Sequence, residues 1–334
     1  MFDKDLFQKT KFIIEKISYE YLTNDAINTN HIVNIGFNIN AAFFMQMGVA
    51  ATSILENNKD KKFNIHIFVD SYNEDDLEKV KKTAEKYQQN FYVYVIDMKP
   101  FEVFHLKMNR FSRVTYLRLI MPKILKEITD KLLYMDADMI CLGDIDQFVN
   151  LNLDGKPIAA VSDSPDAVEY RTKFLHMKNG KYFNDGIMWI DINEWEKEHI
   201  TEKAFYYQGA DPKKFLGQSQ DIINMVVDGN ALFIGHKFNQ YAGDNMPEDT
   251  LICHFLGRDK PWDMVLYEAD KKWRYYLDLS YWDSMPDAMP PKTPQHYHNF
   301  KRMAEVFRHK GNYIKMLNSY FWYSILKIRL KLGL

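Results

Sequence analysis

From position 31 onward, short runs of β-branched and aromatic residues alternate with longer amphipathic stretches. The strand-like runs are 32–37 (IVNIGF), 64–69 (NIHIFV), 91–96 (FYVYVI), 132–135 (LLYM), 157–161 (PIAAV) and 186–192 (GIMWIDI). Residues 41–57, 74–89, 110–128, 193–208 and 218–228 carry the helical period. Short strands separated by helices predict βαβ units, hence an α/β fold around a mainly parallel sheet. Asn73 ahead of Glu74, Asp75 and Asp76 predicts a helix start, because its side chain can accept from an early N–H and acids suit the positive end of the helix dipole. Before position 31, Phe7, Phe12, Ile13 and Ile14 are spaced for one face of a short helix, so residues 1–30 read as a helical lead-in.

Residues 31–285 form the continuous α/β pattern, and Pro286, Pro290, Pro291 and Pro294 mark an extended linker over 286–300. Beyond it the composition shifts. Residues 301–334 hold eight Lys and Arg against Glu305 alone, a net +7, in a chain whose 43 basic and 45 acidic residues sum to −2, so the rest of the chain carries −9. Phe307, Tyr313, Phe321, Trp322 and Ile328 are interleaved with those charges, which predicts a basic aromatic helix lying on an anionic membrane surface. The near-neutral whole offers no field for nucleic acid. Cys141 and Cys253 make no disulfide framework and suit a reducing compartment. The start lacks the basic and apolar regions of a signal peptide, and Ala41–Leu55 is too short and too interrupted by Gln46, Thr52 and Ser53 to span a bilayer, so a cytoplasmic place is expected.

The sharpest chemical feature is Leu132-Leu-Tyr-Met-Asp136-Ala-Asp138, an apolar strand ending in two carboxylates. Ligands of open α/β sheets bind beyond the carboxyl ends of strands, and oxygen-rich donors suit Mg²⁺ or Mn²⁺ beside a diphosphate. Asp144-Ile-Asp146 repeats the pattern but follows Gly143 and precedes a short helix, so capping is the better reading. His254-Phe-Leu-Gly257-Arg-Asp-Lys260-Pro-Trp262 adds an imidazole for a mixed N/O shell, a glycine that admits phosphate to the backbone, and a lysine point charge. Trp262 is a candidate site wall, whereas Trp189 and Trp195 read as core. His296 and His298 lie in Pro-rich surroundings and read as an exposed loop rather than a second metal site.

Asp136-Ala137-Asp138 together with HxxGxxKPW resembles glycosyltransferase family 8, in particular the bacterial lipopolysaccharide core glucosyl- and galactosyltransferases. Asn34-Ile-Gly-Phe-Asn38, Gly48–Leu55, Ser112–Leu119, Tyr182-Phe-Asn184-Asp-Gly186 and Gln220-Asp221-Ile-Ile-Asn224 match further strings in order. The resemblance implies a GT-A-type nucleotide-binding mixed sheet flanked by helices, a UDP-hexose donor, and Mn²⁺ or Mg²⁺ held by Asp136, Asp138 and His254 around Ala137. It places Gly257 and Lys260 at the pyrophosphate, Phe37, Asn38 and Asn40 at the nucleoside, and Arg118 near the donor. It sets Asp163, Asn184, Gly186, Gln220 and Asp221 around the transferred hexose, with the Gln220 amide where a double-displacement glycosidase has its nucleophile and Asp221 as rival. It further implies a lipid-anchored core oligosaccharide as acceptor and a peripheral place on the inner face of the inner membrane. A different acceptor, such as a protein or another polysaccharide, and a non-catalytic nucleotide-sugar-binding role are the alternatives. The chain departs from the family pattern at Asn40, commonly Asp, at Ala42-Phe43, commonly Asn-aromatic, at Asp185, usually small, and at Ser219, usually Asp.

Overall fold

The computed structural model describes residues 5, 7, 10–22, 32–104, 106, 112–243, 246–257, 259–286, 293–294 and 296–333. Its centre is an eight-stranded mixed sheet ordered β1-β4-β3-β2-β5-β8-β7-β9. The strands are β1 (Ile13–Tyr19), β2 (Ile32–Ile39), β3 (Lys62–Val69), β4 (Asn90–Ile96), β5 (Lys131–Met135), β7 (Ile158–Ser162), β8 (Phe183–Asp191) and β9 (Leu232–Ile234). β4, β3, β2 and β5 run parallel, the expected βαβ half. β8 then pairs antiparallel with both β5 and β7 and β1 antiparallel with β4, so the sheet is mixed, with the other six strands pointing the same way. A second sheet of β10 (Gln240–Tyr241), β11 (Ile252–His254) and β6 (Met139–Cys141) stands beside it.

Alternate side chains of each strand feed two cores. Ile35, Ile65, Ile67 and Val93 pack against helices Phe44–Asn57, Glu74–Tyr87 and Glu268–Leu279 on one face. Phe68, Tyr94, Leu132 and Met188 pack on the other against the segments around Leu117, Trp195 and Ile222. Asn73 caps Glu74–Tyr87 as expected, its Oδ1 accepting from Asp76 N at 2.8 Å.

Four expected elements differ. The lead-in is not helical over 13–19: Ile13, Ile17 and Tyr19 alternate with exposed residues, and the strand covers the otherwise open edge of β4. The expected helix 110–128 is a 3-10 stretch, Arg113–Leu119, followed by a short helix, Met121–Leu125, because Pro122 restarts the register at a helix N-terminus; residues 110–111 lie outside the described residues. The helix 193–208 breaks at left-handed His199 into Ile192–Lys197 and Ile200–Ala210. The linker 286–300 ends in a helix that starts at Tyr297, so the basic tail is a hairpin of two helices, Tyr297–His309 and Tyr313–Lys331; Pro290 and Pro291 lie outside the described residues. Arg302 anchors the hairpin through Asp259 at 3.0 Å and Asp263 at 2.9 Å, and Val306 packs with Met264 and Leu266. Among the described residues no helix is long and apolar enough to cross a membrane.

Candidate active site

Asp136 and Asp138 occupy the link between the two sheets, where β5 ends and β6 begins. Asp136 N donates to Gly186 O at 2.7 Å, which fixes the link to β8. His254 ends β11, which pairs antiparallel with β6 so that His254 lies opposite Met139, and Phe255 N donates to Asp138 O at 2.9 Å. Strand pairing thus brings an imidazole more than a hundred residues away onto the two carboxylates. One ligating atom from each of Asp136, Asp138 and His254 lies within 4.8 Å of the others, and no second such group exists among the described residues. Gly186 is required here as a spacer: a Cβ on it would stand 2.7 Å from His254 Cε1 and 2.9 Å from Asn184 Oδ1.

Asp136 Oδ1 accepts from Arg118 Nη2 at 2.8 Å and from the Tyr134 hydroxyl, while its Oδ2 takes no hydrogen bond from a described residue. Burial and the neighbouring Asp138 charge hold its carboxyl above the usual range despite Arg118. Burial also opposes ionisation of Asp138, but His254 and the Lys260 ammonium, 2.7 Å from Oδ2, hold it well below that range. Burial pushes Asp185 up to about 6 against the pull of Arg118. Arg118 is held inside the protein: Nε donates to Thr115 O at 3.0 Å, Nη1 to Asp185 O at 2.8 Å, and Nη2 to Thr115 Oγ1 at 3.3 Å and to Asp136 Oδ1, while Nη1 also forms an ion pair with Asp185 Oδ2 at 2.9 Å. It is a strut between two acids and also lines the cleft described below.

A chain of amides places a proton on one ring nitrogen of His254. Asp163 Oδ1 accepts from the Tyr241 hydroxyl at 3.0 Å, and the Gln220 amide turns its Nε2 to Asp163 Oδ2, 2.7 Å away. Gln220 Oε1 then accepts from Asn184 Nδ2 at 3.2 Å, and Asn184 Oδ1 accepts from Asn239 Nδ2 at 2.9 Å. Asn239 Oδ1 is left facing His254 Nδ1 at 2.9 Å and takes its proton. His254 Nε2 then faces Asp138 Oδ1, 3.3 Å away. A ring nitrogen and a carboxylate oxygen at that separation call for a positive charge between them, a second ring proton or a cation. Cis ligands of an octahedral cation with bonds of about 2.1 Å stand roughly 3 Å apart, so the donor set fits Mg²⁺ or Mn²⁺.

The three ligands line a cleft of about 330 Å³ that also takes in Asn38, Asn40, Ala137, Asn184, Asp185 and Gln220. Asn38 Nδ2 donates to Val114 O at 3.0 Å and leaves Oδ1 buried without a partner, an acceptor suited to an N–H of a base. Asn40 caps the turn Ala41–Phe43. Phe37 is fully buried in the core and lies behind the cleft, so its side chain cannot touch a nucleoside. Asp163 reaches the cleft only through Gln220 and is further held by Tyr241 at 3.0 Å. Gly257 has φ +88°, a backbone that favours glycine, and borders a neighbouring cavity of about 660 Å³ against the C-terminal hairpin. Trp262 backs the wall: it packs edge-on to the cleft residue Phe43, 6.1 Å between centroids. Asp221 is withdrawn from the cleft. It is fully buried, with Oδ1 accepting from Tyr182 at 2.6 Å and Oδ2 from Gly217 N at 2.5 Å and Arg171 at 3.3 Å, so it has no free lone pair aimed at a substrate. Asp144 and Asp146 pair with Lys61 at 3.2 and 2.8 Å and serve the turn, as expected. The sequence reading missed Tyr134, Asn239 and Tyr241. Tyr134 was signalled by its spacing two residues before Asp136 on a strand; Asn239 and Tyr241 carry no signal short of the pairing of β10 with β11.

The sequence profile of Glycosyl transferase family 8 matches residues 34–265. The chain belongs to glycosyltransferase family 8. This family 8 protein is 30% identical over 281 residues to lipopolysaccharide 1,2-glucosyltransferase of Escherichia coli K12, covering 78% of this chain and 83% of that one. It is 27% identical over 278 residues to lipopolysaccharide 1,3-galactosyltransferase of Salmonella typhimurium LT2, covering 78% and 79%. Among solved structures, the galactosyltransferase LgtC in complex with donor and acceptor sugar analogues superposes with a TM-score of 0.66 at 20% identity, covering 76% of this chain and 98% of LgtC. The fold is therefore the GT-A-type α/β arrangement.

Proposed function

We propose that this glycosyltransferase moves glucose or galactose from a UDP-hexose, in α linkage, onto the outer core oligosaccharide of lipopolysaccharide. The observation that carries the reading is the convergence of Asp136, Asp138 and a tautomer-locked His254 with Lys260 on one side of a cleft whose other side is Asn184, Asp185 and Gln220. The relatives that act on lipopolysaccharide support the acceptor class.

Asp136, Asp138 and His254 would hold Mn²⁺ or Mg²⁺, which when bound neutralises charge on the departing diphosphate. Lys260, now resting on Asp138, is within reach to share the same charge on the leaving group. Asn38 and Asn40 face the nucleoside, with the orphan Oδ1 of Asn38 available to a base N–H. Gln220 is clamped at both ends of its amide and presents a weak nucleophile to the sugar. An oxocarbenium-like centre then forms as the C1–O bond to UDP breaks. The freed diphosphate oxygen takes the proton of the acceptor hydroxyl, whose oxygen bonds C1 on the same face, so configuration is retained. The exposed side chains of Ile314, Leu317, Phe321, Trp322 and Leu330 on the last helix, with Lys315, Lys327, Arg329 and Lys331 among them, suit an anionic leaflet where a lipid-linked acceptor resides.

The test is UDP release from UDP-glucose and UDP-galactose by the wild type and by D136N/D138N. The reading expects UDP from the wild type and at least about a hundredfold loss in the variant. Metal-independent UDP binding that survives the double substitution would instead favour a binding protein, and release of UMP a phosphohydrolase.

A further inference from the structure

Asp185 stands on β8 next to Asn184, only 6% exposed, and lines the cleft beside Gln220. Ser219, at the start of the helix that carries Gln220, lines the same cleft. The two side chains touch. Ser219 Oγ donates to Asp185 Oδ2 at 2.8 Å, and Arg118 Nη1 pairs with the same oxygen at 2.9 Å. Oδ2 is saturated, whereas Oδ1 takes no hydrogen bond from any described residue. Oδ1 is not among the buried side-chain oxygens left without a partner, so it opens on the cleft, where its donor comes from water or from a ligand. Arg118 lines the cleft too, with its guanidinium held between Asp136 and Asp185.

We propose that Asp185 Oδ1 accepts a hydrogen bond from a hydroxyl of the transferred hexose and that Asp185 selects the donor sugar, with Ser219 and Arg118 as positioning residues. The proposal rests on the UDP-hexose reading above. A carboxylate held by two donors cannot swing to follow a hydroxyl that points elsewhere. An epimer with that hydroxyl reversed displaces water from Oδ1 without replacing its donor, and sites built to bind a hydroxyl discriminate strongly against sugars that cannot supply it. UDP alone lacks the hexose and should not sense Asp185.

The experiment measures kcat/KM of wild type and D185N for UDP-glucose and UDP-galactose, alongside UDP affinity with Mn²⁺ by calorimetry. D185N should lose at least about thirtyfold in kcat/KM for the preferred donor, narrow the ratio between the two donors to within about fivefold, and keep UDP affinity within about threefold. D185A/S219D, which returns a carboxylate to the far side of the same contact, should regain at least about tenfold over D185A. D185N with unchanged donor preference, or with UDP affinity falling in step with turnover, would overturn the proposal and leave Asp185 a structural partner of Arg118. A wild type that turns over neither donor would overturn the donor reading itself, and the proposal with it.

Discussion

Asn239→Ala tests the amide chain at its last link. The substitution removes the acceptor 2.9 Å from His254 Nδ1 and the donor 2.9 Å from Asn184 Oδ1, both in a site where Asn239 and His254 are each 1% exposed. Without Oδ1 the proton can shift to Nε2, where Asp138 Oδ1 at 3.3 Å accepts it, and the lone pair then points away from the carboxylates. Loss of an outer partner of a ligating histidine typically costs ten- to a hundredfold in metal affinity, about 1.4–2.8 kcal/mol, the range expected for one buried hydrogen bond to a polar ring. Calorimetric titration of Mn²⁺ in the presence of UDP reads this without turnover. Asn239→Asp keeps an acceptor for Nδ1–H but no donor for Asn184, so it should hold Mn²⁺ within about threefold of wild type while slowing transfer. Asn239→Ala binding Mn²⁺ within about twofold of wild type would refute the tautomer argument.

Asp221→Asn should act on stability: breaking a buried charge held by Arg171, Tyr182 and Gly217 costs about 3–5 kcal/mol, so Tm should fall by roughly 5–15 °C while kcat below the transition changes less than about tenfold; an unchanged Tm with a large kcat loss would restore Asp221 as nucleophile. Removing residues 313–334 leaves Arg302 and Val306 in place, so donor hydrolysis should persist while recovery on vesicles containing anionic lipid drops; equal recovery would contradict the membrane role of the last helix. His66 is fully buried between Asn34 Oδ1 at 3.0 Å and the Tyr94 hydroxyl at 3.2 Å, and burial pushes its pKa down to about 3. The unfolded chain takes up its proton near pH 6.5 and the folded one does not, so this stability is full above about pH 6.5 and falls by about 1.4 kcal/mol per pH unit toward pH 3. Denaturant unfolding of wild type and His66→Gln between pH 7 and 5 should show a shallower pH slope in the variant, and parallel slopes would argue against a neutral buried His66.

The alternating runs placed most strands because both faces of the sheet are buried and apolar period and burial coincide there. β1 was read as a helix because Phe12, Ile13 and Ile14 are contiguous, and only the open edge of β4 decides that segment. The direction of β8 was illegible for the same reason: a fully buried strand such as Phe183–Asp191 has no polar face to mark its partners. Asp136 and Asp138 were visible as acids ending an apolar strand, whereas His254 entered by its motif, since the β6–β11 pairing that seats it is nonlocal. Asn239 and Tyr241 belong to a two-residue strand too short for any periodic signal. Asp221 was misplaced because helical spacing next to Gln220 does not say which side faces the cleft, and Tyr182 and Arg171 turn it inward.

The most direct test of the central claim is transfer of labelled hexose from UDP-glucose and UDP-galactose, in parallel, onto core-truncated lipopolysaccharide with Mn²⁺, Mg²⁺ or EDTA. The account predicts transfer from one donor that EDTA abolishes and Mn²⁺ or Mg²⁺ restores. Transfer that proceeds undiminished in EDTA, or no turnover of either donor with either metal, would contradict it.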